Sequence, residues 1–149
     1  MIYIGTRQET INVNIERVKR SLEQILTILD SKNKEISLLF VNDEQIRIIN
    51  RDYMGRDYPT NVISFSMSEG EFGEINPDIL GDIVISAETA MRDSCEANIS
   101  FEDELDFLMI HGLLHLVGYN HENTTHSVAE IMKKKERDIF FYMKGYLIE

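Results

Sequence analysis

The stretch Ile36–Gln45, ISLLFVNDEQ, joins a predicted strand directly to a predicted helix. Its first part is apolar apart from Ser37, which is typical of a largely buried strand. Asn42 with Gln45 three residues later has the pattern of a capping box, so a helix should begin there and continue to about Tyr53. A strand that leads straight into a helix predicts a sheet covered by helices.

The rest of the chain follows the same scheme. Short strands are predicted at residues 2–4, 62–65 and 82–85, and helices at 14–30, 86–98, 100–117 and 127–143. The acidic segment between the last two strands is too short for a helical crossover, which favours their antiparallel pairing. We therefore expect an α+β fold with a small mixed sheet of about four strands, in a single domain spanning residues 1–149.

Two burial patterns follow from residue type and spacing. The final helix should turn a stripe toward the core, formed by Val128, Ile131, Met132, Lys135 and Ile139. The single cysteine, Cys95, is expected to be a buried free thiol, because free cysteine usually behaves as a small hydrophobic residue.

The charge balance limits the classes of partner. The chain has 149 residues with 15 basic and 26 acidic side chains, a net charge of −11, which excludes a broad basic face for nucleic acid. An RNA substrate would need a small cleft that concentrates positive charge. A lone cysteine indicates a reducing compartment, and neither a signal peptide nor a membrane-spanning run is found, so we expect a cytoplasmic protein without a membrane partner.

Three of the four histidines lie close together in the stretch His111–His121, HGLLHLVGYNH. On a helix, His111 and His115 are one turn apart on the same face, so their rings can converge on one metal ion. Gly118 favours a helix end and a return of the chain that brings His121 to the same ion. Three ligands leave one position open, which is typical of a catalytic zinc site.

The same spacing occurs in metzincin proteases, HExxHxxGxxH, but Gly112 stands where those enzymes have glutamate. Peptide hydrolysis needs that carboxylate to take a proton from the metal-bound water. This position therefore argues against a peptidase. The fourth histidine, His126, has no comparable spacing and is expected at the surface or at the start of a helix.

Three blocks together resemble the YbeY family of bacterial metal-dependent endoribonucleases, which mature ribosomal RNA. His111–His121 is similar to the family motif H-G-x-L-H-L-x-G-Y-D-H. Pro59–Phe65, PTNVISF, resembles P-T-[DN]-V-L-S-F, and Leu80–Ser86, LGDIVIS, resembles L-G-D-I-x-I-S. The resemblance covers the chain from about Ile36 onward, and the order of the blocks agrees.

The resemblance implies that the second and third blocks form strands beside the metal site. Their apolar side chains are expected in the core. Among the polar ones, Thr60, Asn61 and Asp82 are candidates to face the substrate.

The segment before the second block departs from the family pattern Y-R-G-[KR]-D-[KR]-P. Met54 stands where the resemblance implies a phosphate-facing arginine, and Tyr58 stands at a further basic position. A methionine cannot donate to a phosphate oxygen. Arg56 is the first candidate to replace the missing cation, and Arg51 is the second. Alternatively, both arginines are surface charges exposed to solvent.

The histidine block departs from the motif at Asn120, where the family has aspartate. The change removes a carboxylate that could orient a metal-bound group or accept a proton. Glu122 is the nearest remaining acid and the candidate general base; alternatively, it is an acid at the start of the next helix, favoured by the helix dipole.

The leading hypothesis from this resemblance is a zinc-dependent endoribonuclease that cleaves single-stranded RNA in ribosomal RNA maturation. It would hold one Zn²⁺ ion per chain through His111, His115 and His121, and its partner would be ribosomal RNA or the small ribosomal subunit. One alternative is a ribosome-assembly or RNA-binding factor with a weakly catalytic or structural metal. Another is a metallohydrolase for a different substrate.

Overall fold

The computed structural model describes residues 1–67, 78–119 and 126–148, and every strand and helix predicted from the sequence is found there. The strands are β1 (Ile2–Thr6), β2 (Glu35–Val41), β3 (Val62–Ser66) and β4 (Ile79–Ser86). The helices are α1 (Ile15–Ile28), α2 (Asp43–Met54), α3 (Ala87–Ala97), α4 (Phe101–Leu116) and α5 (His126–Lys144).

Polar side chains fix where the helices begin. The Asn42 side chain accepts a hydrogen bond from the Gln45 backbone N–H at 2.8 Å, and the Gln45 side chain accepts one from the Asn42 N–H at 2.9 Å. Asn14, Ser86 and Ser100 cap α1, α3 and α4 through a single bond of the same kind. These bonds satisfy backbone donors that a first helical turn leaves without partners.

The four strands form one sheet in the order β1-β2-β4-β3. β2 pairs in parallel with both β1 and β4, whereas β3 is antiparallel to β4. The predicted mixed sheet and the predicted antiparallel pairing are therefore confirmed. β3 is an edge strand, so within the described residues it pairs with a strand on one side only.

A bulge in β4 explains the glycine of the third sequence block. Ile79 and Gly81 lie opposite consecutive residues of β2, which leaves Leu80 as the extra residue. Gly81 has φ of 141°, and a Cβ there would lie 2.0 Å from the backbone oxygen of Phe65. Only glycine permits β3 to approach β4 this closely.

Helices cover both faces of the sheet. Ile83 and Ile85 of β4 point into the main core with apolar residues of α1, α4 and α5, while Val84 packs with Ile46 of α2 on the opposite face. α4 lies between the sheet and α5 and contacts both of them. This position explains why α4 is apolar on nearly all sides.

A buried ionic cluster joins the helices of the main core. Asp106 of α4 is fully buried and accepts two hydrogen bonds of 3.1 Å from the guanidinium of Arg17 on α1. The ammonium of Lys144, on α5, also pairs with Asp106 and lies 3.1 Å from the carboxylate of Asp103. The cluster therefore fixes α1 and α5 relative to α4.

The expected burial of Cys95 is wrong, because its thiol is exposed. The buried side of α3 is formed by Ala87, Ala90 and Ser94, and Cys95 follows on the solvent side of the helix. Within the described ranges, no helix is both long and apolar enough to cross a membrane.

The predicted core stripe of α5 is correct only in part. Val128 and Ile131 are 41% and 58% exposed, whereas Met132 and Ile139 are buried as expected. The buried face also includes Glu136, at 6% exposure, instead of the neighbouring Lys135. The helix is thus rotated away from the prediction, so that it turns an acidic side chain toward α4.

Candidate functional site

Two histidines converge on one face of α4. His111 and His115 are separated by one helical turn, and their Nε2 atoms are 3.1 Å apart. Their ring centroids are 4.6 Å apart, with an angle of 73° between the ring planes. Both rings are partly exposed and line a cavity at the protein surface.

Glu136 of α5 contacts the ring of His111. Its Oε1 contacts the Nδ1 atom of His111, and the Glu136 side chain is 8% exposed. A carboxylate at Nδ1 favours a proton on that nitrogen and leaves Nε2 available as a ligand. Sequence reasoning missed this residue. The available signal was an acid four residues after Met132 and three before Ile139, within an apolar helical face.

The geometry of the pair fits a metal ion. Two nitrogens that bind one zinc ion tetrahedrally at about 2.0–2.1 Å are about 3.3 Å apart, close to the separation found here. Metal-binding histidines also usually donate their other ring N–H to a carboxylate, as His111 can do to Glu136. The same separation is compatible with a hydrogen bond between the two rings.

The remaining predicted residues of the histidine block, Asn120, His121 and Glu122, lie outside the described residues. Among the residues that the structure describes, no group of three His, Cys, Asp or Glu side chains is arranged to hold a metal ion. His126 is the first residue of α5, as expected for a helix start.

Gly112 lets α4 pack directly against the sheet. A Cβ at this position would lie 2.9 Å from Cδ1 of Ile83 and 3.2 Å from both of its γ-carbons. The backbone oxygen of Gly112 also accepts a 3.3 Å hydrogen bond from the Ser64 hydroxyl of β3. The position of the protease glutamate thus faces the interior of the protein and has no room for a side chain.

A surface cavity of about 460 Å³ opens beside the two histidines. The end of α2, the segment before β3 and β3 itself form its other walls. The lining residues in the described part of the chain are Asn50, Met54, Arg56, Tyr58, Thr60, Asn61, Val62, Ile63, Ser64, Ser66, His111, His115 and Leu116. Apart from the histidines, Arg56 is the single basic residue among them, and none of them is acidic.

The other candidates separate clearly. Thr60 and Asn61 line the cavity, but Asp82 is not among its described lining residues and lies exposed on β4. Arg51, the second candidate for the missing cation, is likewise absent from the described lining, and its Nε is 2.9 Å from a carboxylate oxygen of Asp52. Of the two arginines, Arg56 is therefore the one placed to supply a cation to the cavity.

Buried Asn50 holds the segment that carries Arg56 against α2. Its side-chain amide donates a 2.9 Å hydrogen bond to the backbone oxygen of Tyr58, and its backbone oxygen accepts one of 3.2 Å from the Arg56 N–H. Gly55 ends α2 in the left-handed conformation, with φ of 71°. The turn from α2 to β3 is thus fixed at both ends.

A buried carboxyl lies on the same face of α4, two turns before His111. Burial raises the pKa of Glu104 to about 7, and the negative charge of Asp93 on α3 adds to the effect. The carboxylate of Asp93 also accepts a 3.3 Å hydrogen bond from the side chain of Asn61, which lines the cavity. The acidic pair therefore lies behind one wall of the site.

Comparison with known proteins identifies the family. The sequence profile described as endoribonuclease YbeY matches residues 3–144. The chain belongs to the endoribonuclease YbeY family. It is accordingly an RNA-cleaving enzyme, which acts on phosphodiester bonds within the strand.

Individual relatives agree with this family over nearly their whole length. The endoribonuclease YbeY of Syntrophus aciditrophicus is 53% identical over 148 residues, which cover 99% of this chain and 92% of the relative. That of Geobacter sulfurreducens is 47% identical, with 97% and 96% covered. A solution structure of a Thermotoga maritima protein matches with a TM-score of 0.61 and 26% identity, covering 97% of this chain and 93% of the other.

Proposed function

We propose that this member of the family is a zinc-dependent endoribonuclease that cleaves single-stranded RNA during ribosomal RNA maturation. The proposal treats residues 1–149 as one domain that works in the cytoplasm, on ribosomal RNA or the small ribosomal subunit. The observation that supports it best is the convergence of His111 and His115, with Glu136 behind them, at the wall of a cavity that also holds Arg56.

In this proposal, His111, His115 and His121 hold one Zn²⁺ ion. A bound zinc ion acts as a Lewis acid on the phosphodiester and lowers the pKa of a water ligand. Glu136 orients the His111 ring, so that Nε2 faces the cavity with its lone pair.

The remaining roles belong to three residues that line the cavity and to Glu122, which lies outside the described residues. The Arg56 guanidinium binds a phosphate oxygen and offsets the charge that develops as the P–O bond breaks. Asn61 and Thr60, which line the same cavity, form hydrogen bonds with the RNA strand. Glu122 takes the proton from the attacking water or hydroxyl.

A single-stranded substrate suits the charge and size of the site. The cavity of about 460 Å³ has room for a nucleotide unit, and Arg56 is the single lysine or arginine among its described lining residues. The net charge of −11 opposes the long phosphate contacts that a rigid duplex requires. A flexible strand can instead bring one phosphate to Arg56.

The test compares the wild-type protein with His115→Ala and His126→Ala, purified identically and supplied with zinc. Metal content and cleavage of labelled single-stranded ribosomal RNA are measured on the same samples. We expect about one metal ion and cleavage in the wild type and His126→Ala, and loss of both in His115→Ala. Cleavage by metal-free His115→Ala would refute the mechanism, and loss of metal from His126→Ala would refute the choice of ligands.

A bound metal without cleavage would favour the alternative of an assembly or RNA-binding factor. The observation behind this alternative is that Met54, not arginine, lines the cavity. Met54→Arg then separates the two readings. A large gain in cleavage rate would show that the chemistry is limited by the missing cation. No gain in a wild type that cleaves RNA would show that Arg56 replaces it, and no gain in a wild type without cleavage would support the binding factor.

A further inference from the structure

The mouth of the cavity presents an aromatic ring. Tyr58 and Met54 both line the cavity, and they are 55% and 41% exposed. Exposed apolar side chains that occur together at a binding cavity are candidate contacts for a ligand.

The backbone of Tyr58 is fixed on both sides. Its carbonyl oxygen accepts the 2.9 Å hydrogen bond from the side chain of Asn50, which is only 3% exposed. The preceding Asp57 pairs with the guanidinium of Arg47 on α2. The following Pro59 restricts Tyr58 to an extended backbone. A ring on such a fixed backbone loses little conformational entropy when a flat ligand stacks on it.

Because the site carries little positive charge, RNA binding needs a further contact that does not depend on charge. Arg56 is the single lysine or arginine among the described lining residues, and the whole chain carries a net charge of −11. Few phosphate contacts give weak electrostatic attraction for RNA. Stacking of bases on aromatic rings is the other main source of affinity for single strands, and it tolerates any sequence.

We infer that Tyr58 is a base-stacking residue that binds a nucleobase of the RNA strand beside the phosphate held by Arg56. The inference rests on the proposed function, since it assigns a nucleotide unit to the same cavity. It makes the enzyme dependent on an unpaired base at this point, because a base in a duplex does not expose its face.

The test measures binding and cleavage with the full-length protein. Binding of a labelled oligoadenylate, and of the same strand with one abasic ribose at each position in turn, is followed by fluorescence anisotropy in the presence of a chelator. The proteins are the wild type, Tyr58→Ala, Tyr58→Phe and Tyr58→Lys, with Tyr142→Ala as a control. Tyr142 is a tyrosine of α5 that is 75% exposed and is not a described cavity residue.

We expect Tyr58→Ala to weaken binding of the intact strand about fivefold or more, while Tyr58→Phe and Tyr142→Ala stay within about twofold of the wild type. One abasic strand should bind the wild type as weakly as the intact strand binds Tyr58→Ala, and Tyr58→Ala should no longer distinguish the two. Tyr58→Lys should make the logarithm of affinity about 0.7 steeper against the logarithm of salt concentration, whereas Tyr58→Ala should leave that slope unchanged.

Rescue by phenylalanine and an unchanged melting temperature separate a stacking role from a folding defect, because the Asn50 bond uses the backbone of Tyr58. Equal losses by Tyr58→Ala on the intact strand and on every one of the abasic strands would overturn the inference. Cleavage by Tyr58→Ala with wild-type kcat and KM would overturn it and leave the proposed function intact. Tyr58-dependent binding without any cleavage would instead support the stacking role and count against the proposed activity.

Discussion

Replacement of Glu104 by glutamine should stabilise the protein at alkaline pH and leave its stability at about pH 4 nearly unchanged. Glu104 is 6% exposed in the first turn of α4, and its pKa is raised to about 7 by burial and by the charge of Asp93. Its ionised form is therefore disfavoured in the folded protein. Glutamine has almost the same shape and helix propensity but never acquires the charge.

The magnitude follows from the two pKa values. In the unfolded chain, Glu104 ionises with a pKa of 4.5, so both states are protonated below that value and no penalty exists. The folded state keeps the proton up to about pH 7, so stability is lost as pH rises from about 4.5 to about 7 and then stays lower. The difference corresponds to at most about 3 kcal/mol. The N-terminus of α4 favours negative charge, which reduces the expected gain of Glu104→Gln to about 2 kcal/mol.

The assay is urea unfolding and thermal unfolding of the wild type and Glu104→Gln at about pH 4 and pH 8.5, with Glu102→Gln as a control. Glu102 lies in the same helical turn but is exposed, so its replacement should shift the midpoint little at either pH. A gain of about 2 kcal/mol should raise the melting temperature by roughly 4–8 °C at pH 8.5. Equal effects of Glu104→Gln at both pH values, or destabilisation at pH 8.5, would refute the conclusion that Glu104 is a buried carboxyl whose ionisation destabilises the folded protein.

Two further substitutions test the packing of α4. Gly112→Ala should destabilise by about 1–3 kcal/mol in thermal unfolding, because its Cβ would lie 2.9 Å from a buried isoleucine, whereas helix propensity alone predicts a gain of about 1 kcal/mol. Gly5→Ala, whose Cβ would meet ordinary van der Waals distances, should be close to neutral, and a stable Gly112→Ala would contradict the close packing. Asp106→Asn should cost about 2–3 kcal/mol in urea unfolding, since it leaves the cations of Arg17 and Lys144 without their buried carboxylate. A loss below about 0.5 kcal/mol would show that the cluster is solvated in solution.

The elements could be predicted where the signal is local. Asn42 with Gln45 and the caps at Ser86 and Ser100 place helix starts through bonds that span three residues, and the structure contains those bonds. The order of the strands could not be predicted in the same way. It depends on the pairing of β2 with both β1 and β4 and of β3 with β4, which joins residues far apart in sequence.

Burial was harder to predict than secondary structure. Periodicity predicted a core stripe for α5 that includes Val128 and Ile131, but apolar residues occur on two sides of this helix. The side that is buried carries Met132 and Ile139, together with Glu136, which contacts His111. Residue type misled the prediction for Cys95, whose helix buries alanine and serine instead. Tertiary contacts override average preferences at both places.

The part of the site that could be predicted is the part whose residues lie in one short segment of the sequence. The spacing of His111 and His115 indicates two rings on one helical face, and they lie together in the structure. The sequence placed Arg56 before Arg51 as the replacement cation, and Arg56 lines the cavity whereas Arg51 is not among its described lining residues. Glu136 was missed because its partner is 25 residues away and no motif records the pair.

The position of Glu136 on α5 also sets the order in which the centre is built. During synthesis from the N-terminus, α4 with both its histidines is made before the helix that orients His111. A chain that ends before residue 136 contains both histidines of α4 but lacks the carboxylate that contacts Nδ1 of His111. The His111 ring is therefore fixed from both helices only once the final helix has docked on α4.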